Sequence, residues 1–452
     1  MPAQLIAIAR NAFVEGIRQP VFLLVVLLAG LLQFFTTWNT GFSMGYEETG
    51  EVSGDNKLLL DVGMASIFLC GMILAAFVAT SVISREIENK TVLTVVSKPV
   101  ARTVLIIGKY LGIAGAIVLA MIPMIAFLMF ALRHGVMSTA SDELDMPAIT
   151  FSAGAVVLAL GAAAWCNYFY GWSFPQVAVV LLAPLSVIAY LVVLLVSKNW
   201  TWQMPGPDFK PQVLIACASL TMAVLVMTAV ATAVSTRLSQ VMTIVVCFGI
   251  FVGSLLSNYF FGRHAFQNTP IATIARVERV GMTTETFDKP GDTLKVTFQL
   301  PPRVALKPGD SFYFGPSPNG AAMYVSEFEP FKGDLSKSES LLSGSAPPGI
   351  FITELVGDRG VTVRNLGGRA QPVIKPPEPG DYMFREPTKI GPIALTLWAA
   401  NPNMQCFWLL DAVTQNTRVP TPHLGLIAVY GVLEIGAFLA LGVVLFQGRD
   451  VG

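Results

Sequence analysis

The sequence predicts a polytopic α-helical membrane protein with a β-rich domain inserted before its last helix. Hydrophobic residues make up 54% of the 452-residue chain and charged residues only 13%, a balance outside the usual range of soluble domains. The apolar residues are gathered into runs of about 20, the length that a helix needs to cross a bilayer. Residues 262–422 lack such runs, so this stretch is expected to form a separate domain.

Residues 1–20 form an amphipathic segment. Leu5, Ile8 and Phe13 fall largely on one helical face, while Arg10 and Arg18 lie elsewhere. This pattern favours an amphipathic helix that lies in the membrane interface before the first span. A signal peptide is the alternative, but the apolar run that follows has no small-residue cleavage pattern.

Apolar runs then predict about eight transmembrane helices. The fourth and fifth form a helical hairpin with an aromatic turn, and a six-span version with that hairpin partly re-entrant is the alternative. The predicted spans cover residues 21–38, 58–83, 104–132, 148–166, 177–196, 213–234, 241–261 and 423–446.

Basic residues in the short loops predict the orientation, because cytoplasmic loops retain the excess of Lys and Arg. With the N-terminus inside, the outer loops carry only Lys57, Arg133, Lys198 and Lys210. The inner segments then carry Arg10, Arg18, Arg85, Lys90, Lys98, Arg102, Lys109, Arg237 and Arg449. We therefore expect a multi-pass protein of the cell (inner) membrane with both termini cytoplasmic and residues 262–422 extracytoplasmic.

The inserted domain is strand-like in composition. Its short segments are rich in β-branched and aromatic residues and are separated by Gly, Pro, Asn and Asp, which favours a small β-sandwich or barrel. The clearest candidate strands are residues 293–300, 311–314, 322–325, 349–355 and 361–363.

The loop between the second and third spans, residues 84–103, carries the most informative motif, SREIENKTVLTVVSKPVART. Glu86 and Lys90 are four residues apart and would pair on one helical face, while Leu93 and Val96 supply apolar contact surface. Pro99 would end this helix. The pattern predicts a short amphipathic helix at the membrane surface that docks against a partner, and a loop resting on lipid is the alternative.

This loop resembles the signature loop of type 2 ABC exporter permeases, the ABC-2 family of transmembrane subunits. The matching positions are Glu86, Glu88, Lys90, Thr91, Ser97, Lys98, Pro99, Val100, Arg102, Gly108 and Lys109. The resemblance implies a coupling helix that docks in a groove of a separate ATPase. The coupling residues that it implies are Glu86, Glu88, Lys90, Thr91, Ser97, Lys98, Pro99 and Arg102.

The two ends of the chain extend the resemblance. The opening looks like the family's elbow helix, and residues 401–452 look like its closing pattern, with Pro402-Asn403 followed by Asp411 and a last span containing Tyr430. The chain departs from the family pattern in two apparent insertions, the hairpin and the β-rich region.

The resemblance implies a permease subunit of an ABC exporter. No G-x-x-x-x-G-K-[ST] phosphate loop is present, since Gly108-Lys109 is followed by Tyr110, so ATP and Mg are expected in a partner ATPase and no cofactor in this chain. No catalytic motif was found, and the three histidines and five cysteines show no metal-ligand spacing. Neither the fold nor the loop indicates the substrate.

Two other classes of function stay open. One is a non-transporting ABC-type component that transmits ATP-driven motion to its outer domain; the other is a membrane-anchored binding or structural protein without an ATPase. The expected partners are an ABC ATPase, a second copy of this chain or a similar permease, and membrane lipids. Nucleic acid is not expected, because 29 basic residues balance 29 acidic ones.

Glu434 is an acidic residue in the middle of the last predicted span. Such residues are costly in a bilayer unless they are paired or face water. Glu434 is therefore a candidate for a translocation path, and a structural hydrogen bond to a neighbouring group is the equal alternative.

Overall fold

The structure is a computed structural model. It describes residues 2–39, 51–88, 101–137, 143–204, 208–280, 287, 289–321, 323, 325, 328, 349–366, 376–410, 413, 419 and 421–447, with only the backbone described at 51–56 and 84–88. Contacts divide the chain into a helical unit, Met1–Gly253 with Met404–Gly452, and a β-rich unit, Ser254–Asn403.

The described residues contain seven helices that are long and apolar enough to cross a membrane, and an eighth span if α8 and the bent segment that follows it are counted as one. Both hairpin helices, α5 and α6, are among the seven, which favours the eight-span version. The helices are α1 Pro2–Ile17, α2 Pro20–Asn39, α3 Glu51–Glu88, α4 Arg102–His134, α5 Met146–Tyr170, α6 Phe174–Leu194, α7 Pro211–Ser235, α8 Gln240–Leu255, α9 Pro392–Ala400 and α10 Thr421–Gln447.

Local sequence signals set the bounds of the hairpin. Asp145 caps the start of α5, where its carboxylate accepts a hydrogen bond from the Ala148 amide at 3.0 Å. Gly171 ends α5 in the left-handed conformation, with φ of +67°, that glycine adopts without steric cost. A proline in the first turn of α6 then suits the start of the next helix.

Helix α4 is the centre of the helical unit and packs against α1, α2, α3, α6 and α7. Helix α5 is peripheral and packs mainly on α6, through the small buried residues Ala155, Ala159 and Ala163. These residues recur every fourth position and let two helices approach closely, as in many membrane bundles.

A buried ion pair fixes the end of α4 to the start of α5. The Arg133 Nε atom lies 3.1 Å from Asp145 Oδ2, and the two side chains are 3% and 0% exposed. The same guanidinium donates hydrogen bonds to the carbonyl of Val193, in the last turn of α6, and to that of Val196, just after α6. Its donors are thus shared between the carboxylate before α5 and the carbonyls at the end of α6, as a buried charge requires.

The β-rich unit is a closed antiparallel sheet. Six strands follow the order β4-β7-β2-β3-β6-β5, and residues 309–312, just before β4, pair with β5 through the amide of Phe312 and the carbonyl of Ile350 at 2.8 Å. Phenylalanines including Phe298, Phe314 and Phe351 fill the interior. The strands are β1 Phe266–Gln267, β2 Ala272–Val280, β3 Thr293–Phe298, β4 Tyr313–Gly315, β5 Gly349–Val356, β6 Gly360–Leu366, β7 Tyr382–Phe384 and β8 Lys389–Ile390.

The structure bears out the predicted fold class of apolar helices with a β-rich region before the last one. Residues 322 and 324 of the candidate strand at 322–325 lie outside the described residues. The β-rich unit ends at Asn403, earlier than the predicted residue 422, because Met404 and Phe407 are buried in the core of the helical unit.

Candidate coupling site at the converging helix ends

The predicted coupling loop begins inside a helix. Helix α3 continues without a break to Glu88, so Glu86 and Glu88 lie on its last turn. The structure places Arg102 at the first residue of α4. The other predicted coupling residues, and the short helix expected there, lie outside the described residues. These residues are Lys90, Thr91, Ser97, Lys98 and Pro99.

A buried lysine holds the end of α3 against α4. The Lys109 ammonium donates a hydrogen bond to the Val82 carbonyl at 3.0 Å, although the residue is only 5% exposed. A buried ammonium is costly unless it is hydrogen-bonded. Lys109 therefore fixes the helix segment that carries Glu86 and Glu88.

Arg102 reaches the far end of the chain. Its Nη1 atom donates to the carbonyl of Gln447 at 2.8 Å, and the guanidinium lies 5.8 Å from the centre of the Phe446 ring. A cation at a helix N-terminus is unfavourable, whereas a cation at a helix C-terminus is favourable. Arg102 sits at the start of α4 but places its charge at the end of α10.

Arg237, in the turn after α7, binds the same helix end. Its Nε atom donates to the Leu445 carbonyl at 2.7 Å. The last carbonyls of a helix have no partner within the helix, and here two arginines from different elements satisfy them. We call Arg102 and Arg237, with the carbonyls of Leu445 to Gln447, the arginine clamp.

Helix α1 packs closely along α4. A Cβ atom placed on Gly112 would lie 2.7 Å from Ala12 Cβ and 2.8 Å from the Phe13 backbone nitrogen. A side chain there would push the helices apart. A Cβ atom placed on Gly108 would likewise lie 2.9 Å from Ile8 Cγ2. The expected elbow helix, α1, is therefore packed on α4, the helix that follows the coupling loop.

These contacts hold the two helix ends that flank the middle of the coupling loop, residues 89–100. The end before it is held by Lys109 and the end after it by Arg102, and Arg102 also bonds α10. The described helix ends that flank the loop are thus bonded to α4 and α10.

Sequence reasoning missed two parts of this site. Both Arg237 and Lys109 entered as basic residues of the predicted inner segments, and Lys109 also as part of a family motif. Nothing in the sequence indicates which carbonyls they bind, although a basic residue close to a helix end is the signal that favours such a bond.

Glu434 lies on α10 at the edge of its packed face, half-buried, beside the line of buried residues Ile427, Gly431 and Gly442. The Tyr430 hydroxyl, one turn earlier, hydrogen-bonds its carboxylate. This bond partly meets the need for a polar partner within the span.

The apolar helices and the charge pattern of their short loops define a multi-pass membrane protein. A family profile, the ABC-2 family transporter protein, matches residues 6–166. This match confirms the resemblance to ABC-2 type permeases over these residues and supports a membrane permease of an ABC system.

The matched residues include nearly all of α1, the coupling loop and Arg102. They also include most of α5, so the match does not confirm that the hairpin is an insertion. Neither a curated protein nor a solved structure matches the chain.

Proposed function

We propose that this protein is the membrane-spanning permease subunit of an ABC exporter and couples ATP hydrolysis by a separate ATPase chain to substrate movement across or out of the membrane. The observation that supports it is that both helix ends flanking the coupling loop are fixed, α3 by the bond from Lys109 to Val82 and the start of α4 by the bond from Arg102 to Gln447. A loop held in this way delivers movement of a docked partner into the helices.

In this proposal the partner ATPase binds ATP and Mg and contacts residues 84–103. Its groove would receive the carboxylates of Glu86 and Glu88 and the Ser-Lys-Pro segment at residues 97–99. The family match over residues 6–166 supports an ATPase partner, since the permeases of this family work with one. The coupling residues include Lys90, Thr91 and Arg102.

The proposed arrangement places both termini and the clamp in the cytoplasm and residues 262–422 outside. Two permease copies, or this chain with a similar one, would assemble with two ATPase chains. The excess of basic residues in the segments assigned to the inside supports this orientation.

We propose that Glu434 lines the translocation path as a polar residue. In support, it lies on α10, the helix that the arginine clamp connects to the coupling loop. Replacing it with glutamine should leave assembly intact and change transport or its pH dependence. Wild-type transport by Glu434→Gln at every pH tested would assign the carboxylate to a structural hydrogen bond instead.

A second candidate function is a non-transporting ABC component. The β-rich unit, Ser254–Asn403, is inserted between the last two apolar helices, where movement of α10 would reach it through the chain. With the ATPase in proteoliposomes, the transporter proposal predicts ATP-dependent movement of a lipid or trapped solute. The alternative predicts ATP-dependent changes in protease cleavage of the β-rich unit without such movement.

Charge reversal tests the coupling assignment. Glu86→Lys with Glu88→Lys should leave the membrane helices folded, since an exposed pair on a helix contributes only about 0.2–0.5 kcal/mol. Like charges forced together across an interface cost several kcal/mol, so the variant should lose its ATPase on co-purification or lose stimulated hydrolysis.

The matched control is Glu47→Lys with Glu48→Lys, in the loop predicted to face outside. This control should keep the ATPase and its activity. Retention of both by the Glu86 and Glu88 variant would refute the coupling assignment, and absence of any ATPase from the wild-type preparation would favour a membrane-anchored binding protein.

A further inference from the structure

The β-rich unit carries a helix with an exposed apolar face. Helix α9 has no charged residue, and none of its residues is buried. Ile393 and Leu397 are 79% and 51% exposed and lie one helical turn apart, so they share a face. Exposed large side chains grouped on one face indicate a surface that binds something apolar.

Helix α9 is held close to where the β-rich unit joins the membrane part of the chain. The Trp398 indole donates to Asn258 Oδ1 at 2.9 Å, and its ring packs edge-on against Phe266 at 5.7 Å. Asn258 is only three residues beyond Leu255, the end of the apolar helix α8. Tyr259 and Phe260, on the same short segment, are 61% and 49% exposed.

Cationic side chains lie next to this apolar face. Arg263, Arg385 and Lys389 line a polar cavity of about 450 Å³, where Glu386, whose carboxylate lies 3.8 Å from the Lys389 ammonium, is the acidic residue among the described lining residues. Arg263 also stacks over the Tyr259 ring at 4.4 Å. Lys389 and the exposed Ile390 form β8, and α9 begins two residues later, at Pro392.

We propose that α9 and this basic cavity form a membrane-binding surface of the β-rich unit. Acyl chains pack against Ile393 and Leu397, and the phosphate of an anionic phospholipid binds Arg263, Arg385 and Lys389. Apolar residues bordered by Lys and Arg are the pattern of segments that lie in the bilayer interface. Exposed tyrosine and phenylalanine rings beside them suit the same depth.

The occupant is assigned to lipid because of covalent continuity and charge. An apolar helix of the chain ends three residues before Asn258, so a bilayer is close to the segment that carries α9. The three cations match the phosphate layer, whereas a second copy of this surface would bring like charges together. The proposal does not depend on coupling to an ATPase.

The test uses the full chain with its five native cysteines replaced by alanine and a nitroxide attached at Ile393→Cys or Leu397→Cys. The protein is reconstituted in vesicles of phosphatidylcholine, with or without phosphatidylglycerol. Collisions of the label with oxygen and with a water-soluble nickel complex report its depth. Both labels should favour oxygen severalfold, while a label at Val280→Cys, at the far end of β2, should favour nickel.

A second arm tests the headgroup site. The labels should lie deeper in the membrane when phosphatidylglycerol is present. A triple variant, Arg263→Gln with Arg385→Gln and Lys389→Gln, should abolish that difference in depth. Each cation near an anionic surface changes binding roughly fivefold. The control, Arg276→Gln with Arg279→Gln and Lys307→Gln, replaces exposed cations elsewhere on the unit and should keep the difference.

Three outcomes would overturn the proposal. If the labels at both α9 positions collided mainly with nickel in both vesicle types, α9 would not bind the membrane. Strong spin–spin coupling between labels on two copies would assign the face to a dimer. An effect of inorganic phosphate equal to that of phosphatidylglycerol would assign the cavity to a free anion rather than to lipid.

Discussion

Replacing Arg102 with methionine removes one half of the arginine clamp and keeps a side chain of similar length. The variant loses the hydrogen bond to Gln447 and the favourable charge at the end of α10. Hydrogen bonds from charged donors contribute about 1.5–3 kcal/mol and a cation at a helix end about 0.3–1 kcal/mol. Because Arg102 is partly exposed, we expect a net loss of about 1–2 kcal/mol, confined to the last turns of α10.

Amide hydrogen exchange in lipid nanodiscs measures this loss directly. Local opening at residues 439–447 should become about 5- to 30-fold more frequent, while exchange in α2 should not change. Arg102→Lys should give an intermediate result, since lysine keeps the charge but has a different donor geometry. Arg237→Met should raise exchange in the same peptide.

Arg10→Met is the matched control, because Arg10 is an exposed cation on α1. It should leave exchange in α10 unchanged. If Arg102→Met also left α10 unchanged, the clamp would not hold that helix, and the path from the coupling loop to α10 would be refuted.

Three further perturbations test the packing and the orientation. Gly112→Leu should lower the melting temperature of the full chain in detergent by separating α1 from α4, since a Cβ there already meets Ala12 at 2.7 Å and overpacking costs about 1–3 kcal/mol or more. Arg133→Met should also lower the melting temperature. It should cost about 3–5 kcal/mol of stability, because it removes the ion-pair partner of the Asp145 carboxylate, which is 0% exposed. Cysteines placed at Lys90 and at Ser336 should react with impermeant reagents from opposite sides of a sealed membrane.

The controls for these predictions come from the same chain. Gly154→Leu, with open space around it, should keep the melting temperature, and so should Lys389→Met, whose side chain is 80% exposed. If the melting temperature fell as much in these controls, the packing explanations for Gly112→Leu and Arg133→Met would be wrong. Same-side labelling at Lys90 and Ser336 would overturn the orientation, and labelling of a cysteine at Gly171 from outside would overturn the eight-span version.

The membrane helices were predictable because a bilayer imposes a long apolar run on each one. The predicted span at 58–83 and the observed apolar stretch Lys57–Ile83 differ by one residue at the start. The strands were harder, since β2 contains Arg276, Glu278 and Arg279 among its nine residues and has no simple alternation. Its place in the sheet depends on pairing with β3 and β7, which only the tertiary structure defines.

The candidate site was predicted in part. A motif pointed to Arg102, but its acceptor at Gln447 lies 345 residues away and no local pattern encodes that pairing. Glu86 and Glu88 were expected in a short separate helix, whereas they end the long helix α3, because the segment contains no residue that breaks a helix before Glu88.

In the proposed function, the coupling loop contacts an ABC ATPase. A photo-cross-linking amino acid at Ser97, with Glu47 as the matched control position, tests it in intact cells. We expect position 97 to give a covalent adduct whose partner peptides include a G-x-x-x-x-G-K-[ST] phosphate loop. Position 47 should give no such adduct. Adducts from position 97 that contain no such ATPase, or the same ATPase captured from both positions, would contradict the proposed contact.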